Sequence, residues 1–379
     1  MMYSDIPSAQ TLVLYFKSRG VKHIVISPGS RNAPLTIGFT KNPFFTCYSI
    51  VDERCAAFFA MGMAQRLQEP VAVVCTSGSA LLNYYPAVAE AFYSDIPLIV
   101  VSADRPSYRI DIGDGQTIRQ ENVLEKHIGY SANLKQDLSH ASESVSKWGG
   151  DLLKQTQESV QEYNERALVN ALQIARWKKT PVHINIPFEE PLYGVVEKPS
   201  LLISEKKMDI PIDSSQEDWA AYASIWKESG RKMILVGVNQ PNAMEKEVLA
   251  QDENTLVFTE TTSNMHHPEF FPSIDSIIAP IEKSENRDAL FKALQPDILV
   301  TFGGLIVSKK IKAFLRKYQP KEHWHVDSKK AFDTFFCLSK HIKVDPNDFF
   351  KAILPAETKK SDYKTKWQEV KKHYEARRE

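Results

Sequence analysis

The chemistry-bearing residues of this 379-residue chain sit where apolar runs give way to turns. Glu53, in VDERCAAFFAMGMA (51–64), stands directly before a run of Ala, Phe, Gly and Met. The simplest reading is a helix cap, since an acid in a first turn gains ~0.3–1 kcal/mol from the helix dipole. A carboxyl group desolvated beside such a run, however, holds its proton nearer neutral pH. It can then share a proton with a heteroaromatic nitrogen. Ser30 and Arg31, in SPGSRNAP, read either as a helix cap with an exposed arginine or as a fork for a carboxylate, which the guanidinium fits bidentately. Arg105, in ADRP, ends an apolar run of its own. Ser308, Lys309 and Lys310 open a helix in TFGGLIVSKKIKAFLRK (301–317). Cations there oppose the dipole, so they are either two solvated lysines or a place where an anion is expected.

The elements that must position these residues alternate in type. SAQTLVLYFKSRG (8–20) reads as a helix with Ser8 near its N-cap and Gly20 near its end. VKHIVIS (21–27), CYSIV (47–51), VAVVCTSG (71–78), PLIVVSADRP (97–106) and PVHINIP (181–187) read as strands, with helices over 53–67 and about 80–93 between them. Such alternation implies an α/β fold with a doubly wound parallel sheet, whose ligands sit beyond the carboxyl ends of the strands. PGSR, DER, TSGS and ADRP all fall at such ends. A Pro-rich, charged stretch over 190–215 reads as an interdomain linker. KMILVGVNQP (232–241), TLVFTETTS (255–263), DILVTFGG (297–304) and HWHVDS (323–328) then read as the strands of a second α/β domain. The expected division is 1–190, 210–355 and a charged helical segment, 356–379, read either as a solvated surface helix or as a lead into a further domain.

Composition narrows the function. Hydrophobic residues make up 43% and charged residues 25%, as in globular chains, and the formal net charge is zero. Neutral balance gives no electrostatic case for nucleic acid or an anionic membrane, and no apolar run approaches the ~20 residues that span a bilayer. Cys47, Cys55, Cys75 and Cys337 form no CxxC pair, which suits a reduced, cytoplasmic setting. MMYSDIPSAQ is not a signal peptide.

A heteroaromatic cofactor that needs a glutamate is thiamine diphosphate: a carboxylate on N1′ of its aminopyrimidine promotes the imino tautomer, whose nitrogen removes the C2 proton. SPGSRNAPL (27–35), VDERCAAFFAMGMA (51–64), CTSGSALLNYYPAVAEA (75–91), IPLIVVSADRP (96–106) and GQTIRQ (115–120), in that order and spacing, together resemble the 2-succinyl-5-enolpyruvyl-6-hydroxy-3-cyclohexene-1-carboxylate synthase family of menaquinone biosynthesis. The resemblance is dense over the first part of the chain and thinner beyond. It implies a thiamine pyrimidine-binding domain followed by a central Rossmann-like domain. It also implies a transferase that decarboxylates 2-oxoglutarate and adds the resulting carbanion to isochorismate. Glu53 and Gln116 match catalytic positions beside the cofactor, and Pro28 a cofactor contact. Ser30, Arg31, Arg105, Lys309 and, less directly, Lys310 match substrate positions. Where relatives often carry an amide before Gln116, this chain has Gly115. The resemblance further implies sites shared between subunits, hence a homodimer or dimer of dimers. The Mg²⁺ and diphosphate ligands would lie in a third, diphosphate-binding domain that the chain does not reach. Residues 1–379 alone are therefore expected to fold but not to turn over.

Three other patterns carry less. GDG (113–115) resembles the start of a thiamine-enzyme metal signature but has no Asn at the required distance, and reads as a loop. His266 and His267 have no partners at zinc spacing. TSGSA lacks the frame of a nucleophile turn and reads as part of a pyrimidine pocket. The rival readings are a sibling thiamine enzyme, which typically has a small residue in place of Arg31, and a nucleotide-binding α/β protein that kept the fold without the chemistry, which would have no use for Glu53.

Overall fold

The computed structural model describes residues 2–204, 217–354 and 359–375. Contacts divide the chain into two units, 1–211 and 212–379.

The first unit is built on six parallel strands. In chain order they are β2 (His23–Ile26), β3 (Thr46–Ser49), β4 (Val71–Cys75), β5 (Leu98–Asp104), β6 (Tyr130–Asn133) and β7 (Val182–Pro187), after a two-residue β1 (Tyr3–Ser4). Their spatial order is β3-β2-β4-β5-β7-β6, all in parallel register. Period-two alternation feeds both faces: Ala72 and Val74 enter one core layer, Val71, Val73 and Cys75 the other. Helices α1 (Pro7–Ser18), α2 (Ala33–Thr40) and α7 (Gln157–Lys178) supply the first layer; α3 (Glu53–Leu67), α4 (Ala80–Asn83) and α5 (Tyr85–Tyr93) supply the second, and a short α6 (Ser142–Trp148) precedes α7. The chain winds one way from β2 to β3 and the other way to β4, so the switch point lies between β2 and β4.

The second unit repeats the plan with β9 (Lys232–Val236), β10 (Thr255–Phe258), β11 (Ile298–Phe302), β12 (Glu322–Val326) and β13 (Lys340–Ile342), ordered β10-β9-β11-β12-β13 and parallel throughout. Its helices are α8 (Trp219–Glu228), α9 (Lys246–Ala250), α10 (Ile274–Glu282), α11 (Arg287–Leu294), α12 (Lys309–Lys317), α13 (Pro346–Ile353) and α14 (Tyr363–Glu375). Both units are thus α/β, doubly wound on parallel sheets.

Several local expectations change. α1 begins at Pro7 with Ile6 as its N-cap, not Ser8, because proline is pre-set for the first helical position; Ser8 is buried, and its N–H donates to Asp137 at 2.9 Å. The helix read over 80–93 is two, because the ring of Pro86 starts a new helix at Tyr85. The edge strands β6 and β13 lack an apolar run and escaped the sequence reading.

The stretch read as a linker also differs. Val195–Val196 forms β8, paired antiparallel with β1. Ser200 N–H donates to Gln10 at 2.7 Å, and Ser204 Oγ to Glu165 at 2.5 Å. Residues 190–204 are therefore a strap on the first unit; 205–215 lie outside the described residues.

The charged segment 361–379 is not merely solvated where it is described. In α14, Tyr363 and Trp367 are fully buried; Trp367 stands edge-on to Phe258 at 5.0 Å, and Tyr363 donates to Leu294 O at 2.9 Å. Most of its charges lie on the outer face, while Lys364 is buried and pairs with Glu269 at 2.9 Å. Trp367→Ala should cost about 3–5 kcal/mol, seen as a drop in the melting temperature of the second unit. Lys366→Ala, which removes only the exposed pair with Asp362, should cost under about 1 kcal/mol. Equal, small effects would mean that the helix is not part of the core.

Candidate active site

The switch point places two turns in contact. After β2, Ser27–Arg31 turns sharply into α2, closed by Asn32 Nδ2 donating to Ser27 O at 2.9 Å. After β4, Thr76–Gly78 turns into α4. A Cβ on Gly29 would lie 2.4 Å from Thr76 Cβ, so only glycine lets the turns meet. Pro28 and Ser30 are exposed on the rim, while Arg31 is buried. The reading of Ser30–Arg31 as a cap with an exposed arginine fails, since α2 has Asn32 at its N-cap and no side-chain cap.

Glu53 is the first residue of α3, and its half-buried carboxylate has no hydrogen-bond partner among the described residues. The capping is done by its neighbour: Asp52 accepts from Cys55 N–H at 2.8 Å. Glu53 lies near the ends of β2 and β4. Burial pushes the Cys75 thiol and Tyr84 hydroxyl up, and the Glu53 charge acts in the same direction on both. Tyr84 OH donates to Ser27 Oγ at 3.3 Å. An uncommitted carboxylate at the mouth of two turns fits the pyrimidine end of thiamine diphosphate.

Gln116 lies on the loop after β5. It is exposed, with φ +56°, and its backbone packs on the second turn: a Cβ on Gly78, itself at φ +89°, would stand 3.0 Å from Gln116 O. Gly115 beside it is exposed, and GDG is loop.

What holds this loop is a buried polar network. Gln120 Oε1 accepts from Gly78 N–H at 2.7 Å, and its Nε2 donates to Asn185 Oδ1 at 2.8 Å and Ala103 O at 3.2 Å. Ser102 Oγ donates to Asn185 Oδ1 at 2.7 Å. Ser102 has one hydroxyl proton, so the 2.8 Å contact with His183 Nε2 requires the imidazole to donate. Burial pushes His183 down to about 3, so the ring is neutral near pH 7. Asn185 Nδ2 donates to Asp104 Oδ2 at 2.7 Å, and Arg105 N–H to Asp104 Oδ1 at 2.8 Å. Sequence reasoning passed over this network. The signal was there in PVHINIP, where His183 and Asn185 occupy one face of an otherwise apolar buried strand.

Two cations share the rim. Arg31 donates from NH1 to Phe188 O and from NH2 to Glu190 Oε1, each at 3.0 Å. Burial pushes Arg31 down, and the charge of nearby Arg105 pushes it the same way. Arg105 Nε is buried with no partner among the described residues. Paired guanidiniums with an unfilled donor are suited to an anion such as a carboxylate.

Lys309 and Lys310 belong to the second unit. Lys309 is exposed at the first position of α12; Lys310 is paired with Glu282. Ser308 caps α12, its Oγ accepting from Ile311 N–H at 3.1 Å. A carboxylate does stand at the start of α12, that of Glu260, but it accepts from backbone donors, Val307 N–H at 2.8 Å and Ser308 N–H at 2.6 Å. His266 and His267 lie in a loop, and no group of three His, Cys, Asp or Glu able to hold a metal occurs among the described residues.

Residues 8–128 match the family described as thiamine pyrophosphate enzyme, N-terminal TPP binding domain. The chain is 58% identical over 347 residues to a protein of Christiangramia forsetii named 2-succinyl-5-enolpyruvyl-6-hydroxy-3-cyclohexene-1-carboxylate synthase, covering 90% of this chain and 59% of the relative. It is 52% identical over 363 residues to the same-named protein of Flavobacterium johnsoniae, covering 94% and 60%. With that of Porphyromonas gingivalis it shares 36% over 359 residues, covering 92% and 57%. The chain thus spans about three-fifths of the length of the curated relatives it matches.

Asp104 yields a pH prediction. Burial raises its carboxyl group from 3.8 to about 6, against the hydrogen bonds from Asn185 and Arg105 N–H. The native state then binds the proton more tightly than the unfolded state. Stability contributed by this group is fully present below pH ~4 and is lost as pH rises through about 6. The melting temperature of the parent should fall relative to Asp104→Asn between pH 4 and 6, with a constant gap above; a gap independent of pH would refute the assignment.

Proposed function

We propose that the chain belongs to the 2-succinyl-5-enolpyruvyl-6-hydroxy-3-cyclohexene-1-carboxylate synthase family and supplies the pyrimidine-binding and carboxylate-binding parts of a thiamine diphosphate-dependent transferase. The proposed reaction decarboxylates 2-oxoglutarate and joins the remaining four-carbon unit to isochorismate. The observation that carries this reading is the uncommitted, half-buried carboxylate of Glu53 at the switch point of the first sheet. Thiamine diphosphate, when bound, supplies the nucleophilic carbon at which the 2-oxo acid loses CO₂. Glu53 would hold a proton against N1′ of its pyrimidine. Pro28 would contact the cofactor from the turn beside it, and Gln116, presented by the Gln120-anchored loop, would stand near the reacting carbon. Arg31, Arg105 and Ser30 receive substrate carboxylates, which both substrates carry. Lys309 is proposed as a further substrate cation; Lys310, already paired with Glu282, is the weaker candidate.

Mg²⁺ is proposed to neutralise the diphosphate, and no described residue of this chain is assigned to it. Turnover is accordingly proposed for a protein that also brings diphosphate ligands, and not for residues 1–379 by themselves. We further propose a homodimer or dimer of dimers in the cytoplasm. Support for the assembly comes from the outward faces of α3 to α5, where Phe58, Phe59, Leu82 and Tyr93 are exposed together with Val51. The four cysteines are free, in keeping with a reducing compartment.

Two substitutions test the roles. In the complete enzyme, Glu53→Gln should leave the circular dichroism spectrum unchanged and slow hydrogen–deuterium exchange at cofactor C2 by about 10²-fold or more. Exchange at the parent rate would sink the assignment. Arg31→Lys replaces a fork with a point charge; loss of one charge-assisted bond is worth about 1.5–3 kcal/mol, so kcat/KM should fall roughly 10–150-fold while cofactor affinity holds. Unchanged kinetics would remove Arg31 from the substrate site.

A further inference from the structure

Two adjacent acids at the end of β7 are held in opposite ways. Glu189 is buried and fully committed. It accepts from Arg109 Nε at 3.3 Å and NH2 at 3.1 Å, and Tyr108 OH also donates to it. Its backbone is fixed too: the Glu189 and Pro191 carbonyls both lie within reach of His140 Nε2, at 3.1 and 3.0 Å. Glu190, between them, reaches Arg31 NH2 through a single 3.0 Å contact. Arg31 is 5% exposed and Glu190 60%. The cation cannot reach water, but the carboxylate can, at little cost.

We propose that Glu190 is a positioning residue that occupies Arg31 as a placeholder carboxylate and is displaced when a carboxylate of the substrate arrives. This rests on the reading of Arg31 as a substrate cation. The physical need is clear in the empty site. Without Glu190, a buried guanidinium beside a second one would keep Phe188 O as its hydrogen-bond partner but have no carboxylate in contact, with only the charges of Glu189 and Asp104 nearby to offset it. Glu190 compensates that charge without sealing the site, because its own side chain is mostly in water. Binding then exchanges one carboxylate for another on a preformed fork, while the Phe188 contact keeps the guanidinium plane in place. The neighbour Glu189 cannot play this part, since leaving Arg109 and Tyr108 would strand a buried charge.

The test is steady-state kinetics of the complete enzyme with Glu190→Gln, Glu190→Asp and Arg31→Lys. Removing the competing charge should lower KM for the substrate whose carboxylate sits on Arg31 by about 2–5-fold, the range of an exposed ion pair, with kcat not increased. Succinate, used as a simple dicarboxylate probe, should inhibit more tightly by the same factor. Glu190→Asp keeps the charge and should stay near the parent. If Glu190 is instead a fixed clamp, Glu190→Gln raises KM; an unchanged or raised KM overturns the proposal. Arg31→Lys separates the two layers: if it leaves KM and succinate inhibition untouched, the reading of Arg31 itself fails, whatever Glu190 does.

Discussion

The candidate site depends on one hydrogen bond between distant parts of the chain, from Gly78 N–H to Gln120 Oε1. Gly78 ends the turn after β4 and Gln120 ends the loop after β5. Their bond sets the Gln116 backbone against a residue with no Cβ. Its strength comes from surroundings with no competing water: Gln120 is fully buried and spends both side-chain polar atoms on Gly78, Ala103 and Asn185. Such a network is stabilising only when complete, since a half-satisfied buried amide costs more than an apolar side chain. The imidazole of His183, kept neutral by burial, ends it at the far side by donating from Nε2 to Ser102 Oγ, with its buried Nδ1 left without a partner among the described residues.

Charge is distributed around this neutral scaffold by degree of burial. Asp104 sits deep and is pushed toward protonation, Arg31 is deep and pushed toward losing its proton, and Glu190, the carboxylate that meets Arg31, lies outward. In the second unit Glu260 shows the complementary arrangement: an intramolecular carboxylate fills the amide cradle at the start of α12. There the backbone dipole, and not a cation, is what the acid answers.

The sequence exposed the architecture where physics is local. β-branched runs at 21–27, 71–78, 97–106 and 181–187 mark buried strands, because both faces of a parallel strand must be apolar. It concealed the edges: Tyr130–Asn133 is polar and half-covered, so YSAN carries no strand signal. Proline outweighed a serine cap at Pro7, and Pro86 divided one expected helix in two. The turns PGSR and TSG were legible as ligand-facing because they end strands. Their supports were not: Asn185 meets Gln120 and Ser102 across 65 and 83 residues, and Glu190 meets Arg31 across 159. No window of sequence carries pairings of that length.

The antiparallel pairing of Tyr3–Ser4 with Val195–Val196 has an architectural consequence. The strap returns to the edge where the unit begins, about one strand spacing from Tyr3–Ser4, and then runs on across α1 and α7 through Ser200 and Ser204. The first and last parts of the unit thus brace each other, so loosening either one exposes the same edge.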